Sequence, residues 1–214
     1  MKGLAMVERY QNYVNGAWTD GSSGQVSTSN NPADLTDCVG EFQASTSADA
    51  NTAISAAYDK KEGWRRTSGL SRGGYLLKAA SYLEGNLEEY AQAITREAGK
   101  SIVESRGEVG RAIALLQYYG VEGSNPVGEV VPSVNPEILL YTNRMPLGVI
   151  SLITPWNFPL AIPIWKMAPA LVYGNTIVLK PASATPYVAT LIARMWEEVD
   201  LPNGVFNLVT GSGG

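Results

Sequence analysis

The chain has 214 residues, of which 45% are hydrophobic and 17% charged, with a formal net charge of −4, a make-up that fits a globular protein of one large or two small domains. The acidic balance and the lack of a basic cluster argue against a nucleic-acid partner. With no histidine and one cysteine, the chain cannot hold a Ser-His-Asp triad, a Cys-His dyad, an ordinary zinc site or an internal disulfide. The amino end, Met1 to Arg9, lacks a signal-peptide core and no apolar run approaches a membrane span, so the cytoplasm is the expected compartment, with no membrane partner.

Residues 10–45 carry short apolar stretches broken by Asn-Gly, Asp-Gly-Ser-Ser-Gly and Asn-Pro, which predicts short strands joined by turns. Cys38 falls within one of them, Leu35–Gly40. It reads as a small buried apolar residue, because nothing beside it would lower a thiol pKa. From about 47 to 120 the period becomes helical. Ala50, Ala53, Ile54 and Ala57 set the first stripe, and Leu76, Ala79, Ala80 and Leu83 the second. Leu87, Tyr90, Ala91 and Ile94, then Val109, Ala112, Ile113 and Leu116, complete four amphipathic helices. Ser47 or Asp49 is the expected N-cap of the first helix and Ser71 that of the second. The charges between Arg96 and Arg111 read as the solvated face of the last two. Residues 121–146 are rich in Gly, Pro and Asn, with one extended run at Glu137–Thr142 that reads as a surface hairpin.

From Leu147 the pattern is βαβαβ. Strands are predicted at 148–153, 176–180 and 205–209, with helices near 160–172 and 186–199. The strand spacing of roughly 28 residues suits crossover units of about 30 residues in a parallel sheet. Thr185 as N-cap and Pro186 at the first helical position mark the last helix. Three parallel strands need cover on both faces, and the helices of 47–120 can supply part of it.

The chemistry gathers at the carboxyl ends of these strands, where ligands bind in open α/β sheets. The first strand stops at Thr154-Pro155-Trp156-Asn157-Phe158-Pro159. An amide held there between prolines and aromatics, Asn157, suits donation to a developing oxyanion; the plain alternative is a Pro-rich turn with a buried Trp. Lys180 ends the second strand beside Pro181, and read alone it is a solvated strand-end lysine. The third strand leads into Gly211-Ser-Gly213-Gly214, a turn that permits close backbone approach to a pyrophosphate but is common to βα turns. Phe158, Ile162 and Trp165 have the spacing of a helix core, and Lys166 reads as either a surface charge or a pocket residue.

Together these stretches resemble the aldehyde dehydrogenase superfamily. The resemblance is carried by Thr154–Pro159, Trp165-Lys166, Pro169-Ala170-Leu171, Gly174-Asn175-Thr176, Val178-Leu179-Lys180-Pro181, Thr185-Pro186, Leu201-Pro202, Gly204-Val205, Asn207 and Gly211-x-Gly213. Weaker matches run back through Pro146, Gly148-Val149, Glu97-Ala98-Gly99-Lys100, Trp64, Asn31-Pro32 and Asn15-Gly16-x-Trp18. The stretch from Arg96 to Ile113 with Tyr118-Tyr119 is similar to the α-ketoglutaric semialdehyde (2,5-dioxopentanoate) and succinic semialdehyde dehydrogenase branch.

The resemblance implies an α/β fold: a three-layer αβα arrangement with part of a Rossmann-type parallel sheet, amino-terminal helices and a protruding hairpin. Residues 1–127 would be the strand-and-helix part of the cofactor-binding domain, 128–146 a hairpin pairing with a partner subunit, and 147–214 the first half of the dinucleotide fold. It further implies oxidation of a small aldehyde, with Asn157 stabilising the oxyanion, and Phe158, Ile162 and Trp165 lining the substrate tunnel. Ile153, Thr154, Pro155, Trp156, Lys180, Ser183, Gly211 and Gly213 would face the dinucleotide. Many NAD-preferring relatives carry a glutamate where this chain has Ser183; a hydroxyl leaves room for a 2′-phosphate that a carboxylate would repel, so NADP is favoured over NAD.

The family's cysteine nucleophile and glutamate base lie past the Gly-x-Gly turn, so the chain by itself is expected to be inactive. A non-catalytic nucleotide-binding or scaffold module, or one chain of a split enzyme, are the alternatives. A strand at Val205–Val209 with no neighbour beyond it would be an open apolar edge, from which a homo-oligomer is expected.

Overall fold

The computed structural model describes residues 7–213; the amino-terminal stretch read above for a leader begins outside them, as does Gly214. Five strands come first: β1 (Arg9–Tyr10), β2 (Asn12–Val14), β3 (Ala17–Thr19), β4 (Val26–Asn31) and β5 (Asp34–Gln43). Four helices follow: α1 (Ser47–Arg66), α2 (Gly69–Gly85), α3 (Leu87–Ala98) and α4 (Ile102–Glu122). Then come the short strands β6 (Val130–Val131) and β7 (Leu140–Tyr141). The chain closes with β8 (Val149–Ile153), α5 (Ala161–Val172), β9 (Thr176–Lys180), α6 (Pro186–Glu198) and β10 (Phe206–Leu208).

The main sheet has five strands in the order β3-β2-β10-β9-β8. β8, β9 and β10 are parallel, with Ile150 opposite Ile177 and Asn207 opposite Val178. β2 joins β10 antiparallel, Tyr13 opposite Leu208, so the amino-terminal strands extend the same sheet. This corrects the expected open edge at Val205–Val209. β10 lies between β2 and β9, and Val205, Phe206, Leu208 and Val209 are all buried. Among the described residues the parallel edge left open is β8, whose Ile153 is exposed.

Side-chain alternation along the strands divides the core into two faces. Val178 and Val209 pack with Ala53 and Ala57 of α1 on one face. Ile177, Leu179, Phe206 and Leu208 join α5 and α6 on the other, together with residues of α2, α3 and α4. Only α1 of the four amino-terminal helices therefore covers the far face. The other three form a further helical layer over α5 and α6. Ile54, read as part of the α1 stripe, is exposed at 44%, whereas Ala53 and Ala57 pack against Val178 and Val209.

Helix starts differ from the expected caps by a few residues. Thr46 caps α1, with Asp49 returning a bond to the Thr46 N–H in a capping box, so Asp49 is the third helical residue. Ser68 caps α2 by accepting from the Ser71 N–H. β6 and β7 pair antiparallel as a separate two-stranded ribbon, and only Leu140–Tyr141 of the run at 137–142 is strand. Cys38 is half-buried on β5 rather than buried, its Sγ 3.8 Å from the Ser29 carbonyl oxygen. None of the helices among the described residues is long and apolar enough to cross a membrane.

Candidate functional site at the carboxyl edge of the sheet

β8 and β9 end side by side. The Thr154 N–H donates to the Lys180 carbonyl at 3.2 Å, which fixes where the turn 154–160 leaves the sheet. Thr154 is buried, whereas Ile153, Pro155, Trp156, Asn157 and Phe158 are exposed. The exposed Asn157 side-chain amide makes no hydrogen bond to another described residue, so its donors are free.

Two recesses flank this turn. Ile153, Pro155, Ile162, Trp165 and Lys166 line one, an open cavity of about 480 Å³. Ile162 and Trp165 thus share a wall, as their spacing on α5 requires, and Lys166 stands beside them. Trp156 faces the other recess, with Ser29, Glu97, Ser183 and Thr185. Phe158 lies under Lys100, whose ammonium is 3.8 Å from the ring centroid.

Lys180 and Ser183 converge on one atom. The Lys180 ammonium donates to the Gly211 carbonyl at 3.1 Å and to the Pro181 carbonyl at 2.8 Å, and the Ser183 hydroxyl donates to the same Gly211 oxygen at 3.0 Å. Partial burial holds the Lys180 pKa below its ordinary value. Gly211 itself lies against Ser45: a Cβ there would stand 3.4 Å from the Ser45 backbone. The end of β10 is anchored just before it, where Asn12 accepts from the Thr210 N–H at 3.0 Å and Thr210 donates to the Gln43 carbonyl at 2.8 Å. Gly213 is exposed at the end of the described residues.

Two buried carboxylates hold the helices that follow these turns. Glu108, 2% exposed on α4, accepts from the Leu160 and Ala161 N–H groups at 2.9 and 3.1 Å, at the start of α5. Lys100 lies 2.5 Å from its other oxygen. Glu97, 3% exposed on α3, accepts from the Tyr187 and Val188 N–H groups at 2.6 and 2.9 Å, at the start of α6. Neither helix has a side-chain cap of its own. Thr185 occupies the cap position of α6, but its buried hydroxyl makes no hydrogen bond, since Glu97 has taken the N–H groups that a cap would serve. Burial raises the Glu97 pKa to about 8, against the lowering effect of those backbone bonds.

Both glutamates were read from sequence as part of a solvated charged face. The signal that singles them out is position: Glu108 falls between Ser105 and Ala112 on the stripe that Val109, Ile113 and Leu116 share. A carboxylate on an apolar stripe needs a partner.

The comparisons with known proteins agree with this architecture. Residues 18–214 match the aldehyde dehydrogenase family. An α-ketoglutaric semialdehyde dehydrogenase of Bacillus subtilis (strain 168) is 50% identical over 204 residues, which is 95% of this chain and 42% of that protein. An NADP-dependent enzyme of E. coli superposes with a TM-score of 0.93 at 34% identity, over 97% of this chain and 43% of that one. An NAD-dependent aldehyde dehydrogenase from Sinorhizobium meliloti gives the same TM-score at 32% identity, over 97% of this chain and 42% of its own. The chain spans less than half the length of these relatives. On the family match over residues 18–214 and the overall superposition, the chain belongs to the aldehyde dehydrogenase family.

Proposed function

We propose that this chain is the amino-terminal portion of an NAD(P)-dependent aldehyde dehydrogenase that oxidises a small semialdehyde, such as 2,5-dioxopentanoate, to the acid. One observation carries the reading. The free Asn157 amide projects at the carboxyl edge of the sheet, next to the strand end where Lys180 and Ser183 meet the Gly211 turn. The Bacillus subtilis relative supports the substrate class.

The residues at the edge fit a dinucleotide. An ammonium and a hydroxyl converge there with no carboxylate at position 183, a donor set that suits ribose hydroxyls or a ribose phosphate. Lys180 and Ser183 would hold that end. Ile153, Thr154, Pro155 and Trp156 would face the cofactor from β8, and Gly211 and Gly213 would let the backbone come close to its pyrophosphate. The cofactor, when bound, supplies the hydride acceptor. Asn157 would donate to the oxyanion that forms when a nucleophile adds to the aldehyde. Ile162 and Trp165, and Phe158 beside them, would shape the aldehyde's path.

The chain of 214 residues alone carries no activated nucleophile and is inactive under this reading. Aldehyde oxidation that survives repurification and Cys38→Ser would overturn that part of it. The cofactor assignment is tested by binding titrations. Ser183→Glu is expected to weaken NADP by roughly 1–3 kcal/mol while leaving NAD unchanged. An unaltered NADP-to-NAD ratio would refute the preference for NADP. A homo-oligomer is the further expectation, resting on the exposed apolar ribbon at 128–146 and the open β8 edge, and sedimentation of the chain tests it.

A further inference from the structure

We propose that Glu108, fastened by Lys100, is a positioning residue for Asn157. The inference rests on the dehydrogenase reading for its consequence, and on geometry for its content. The turn that carries Asn157 is held at two ends. At its start the Thr154 N–H is bound to the Lys180 carbonyl. At its close the Leu160 and Ala161 N–H groups are both bound to one oxygen of Glu108. Asn157 lies between them, exposed and with no side-chain hydrogen bond to another described residue. The backbone anchors, together with the Phe158 carbonyl that accepts from the Ile162 N–H at 3.1 Å, set the position from which its amide projects.

Lys100 adds what an ordinary helix cap would not need. Its ammonium lies 2.5 Å from Glu108 and 3.8 Å from the centroid of the Phe158 ring, the residue next to Asn157. The pair therefore holds the turn by its backbone on one side and by an aromatic face on the other. Lys100 and Glu108 belong to the segment that packs above α5, not to the sheet. The helical layer thus sets the direction of a side chain at the sheet edge. A capping role alone would stabilise α5 and leave the direction of the Asn157 amide to the turn.

The test uses three variants, Glu108→Ala, Lys100→Met and Asn157→Ala, with two measurements. In the 214-residue chain, the side-chain amide resonances of Asn157 and the exchange of the Leu160 and Ala161 amides are followed by NMR. Glu108→Ala is expected to shift the former and speed the latter. Lys100→Met, which keeps the cap, should shift the Asn157 resonances while the Leu160 and Ala161 amides stay protected. Lys100→Met alone decides the matter if Glu108→Ala does not fold.

In the full-length dehydrogenase containing this segment, each variant should lower kcat about 10- to 100-fold, the cost of misplacing a reacting group by ~1 Å, with cofactor affinity unchanged. In the Asn157→Ala background neither should cost more than about twofold. Unmoved Asn157 resonances, or effects that multiply fully in the double variants, would overturn the proposal. An inactive wild-type full-length enzyme would count against the dehydrogenase reading, and the resonance measurement would still decide the positioning.

Discussion

The starts of α5 and α6 solve one problem in two electrostatic settings. Each helix begins without a local side-chain cap and has two N–H groups accepted by a glutamate on the overlying helical layer, through one oxygen of Glu108 and through both oxygens of Glu97. Glu108 faces a cation at 2.5 Å. Glu97 faces backbone N–H groups and the Ser29 hydroxyl, 3.4 Å away; the nearest guanidinium, Arg96, is bound to Asp37 at 2.7 Å instead. Burial then dominates and moves Glu97 up to about 8. For Glu97, desolvation outweighs the backbone N–H groups, the Ser29 hydroxyl and the more distant Arg96 charge, all of which favour the ionised form.

The largest effect should come from removing the paired glutamate. Glu108→Ala leaves two buried N–H groups and a half-enclosed ammonium without their acceptor, and we expect a loss of about 3 kcal/mol in urea unfolding. A loss below about 1 kcal/mol would mean that water replaces the carboxylate freely. Glu97→Ala should cost less at neutral pH, about 1–2 kcal/mol, because the group it removes carries its own burial penalty.

The pH dependence sharpens the contrast further. A carboxyl group with a folded-state pKa near 8 and an ordinary unfolded value binds its proton more tightly when folded. Its ionisation therefore lowers stability progressively as pH rises from about 4.5 to about 8, and not beyond. Urea midpoints across that window should fall in the wild type, and Glu97→Gln should flatten this part of the slope. An identical slope in Glu97→Gln would show that other groups set it. The smallest effect is expected from a local cap: Ser68→Ala at the start of α2 should cost about 1 kcal/mol, without pH dependence.

Much of the sheet was legible because its signals are local. The runs at 148–153 and 176–180, each ending at a proline or a polar turn, give strands at Val149–Ile153 and Thr176–Lys180, and Pro186 marks the helix start at the residue expected. The remote caps were not legible, since Glu97 and Tyr187 are 90 positions apart and Glu108 and Leu160 are 52 apart. Nothing in a helical window says which distant N–H group a glutamate will meet. The cover of β10 was missed for the same reason. β2 is three residues long, with no alternation to read, and its partner lies at the far end of the chain. At the candidate site, the residue types at 154–158, 180 and 183 were visible, whereas the convergence of Lys180 and Ser183 on the Gly211 carbonyl needed the fold.

The seating of β10 between β2 and β9 also has a consequence for synthesis. Asn15 is held by Asn207 across 192 positions, and Asn12 holds Thr210 across 198. At about 5–20 residues per second, a ribosome needs on the order of 10–40 s to deliver the second half of this pairing after the first. Until then the side of β2 that β10 covers in the folded chain has no strand to pair with. Three-residue strands offer little to a stray partner during that interval, so brevity protects the nascent chain where a longer strand would seed aggregation.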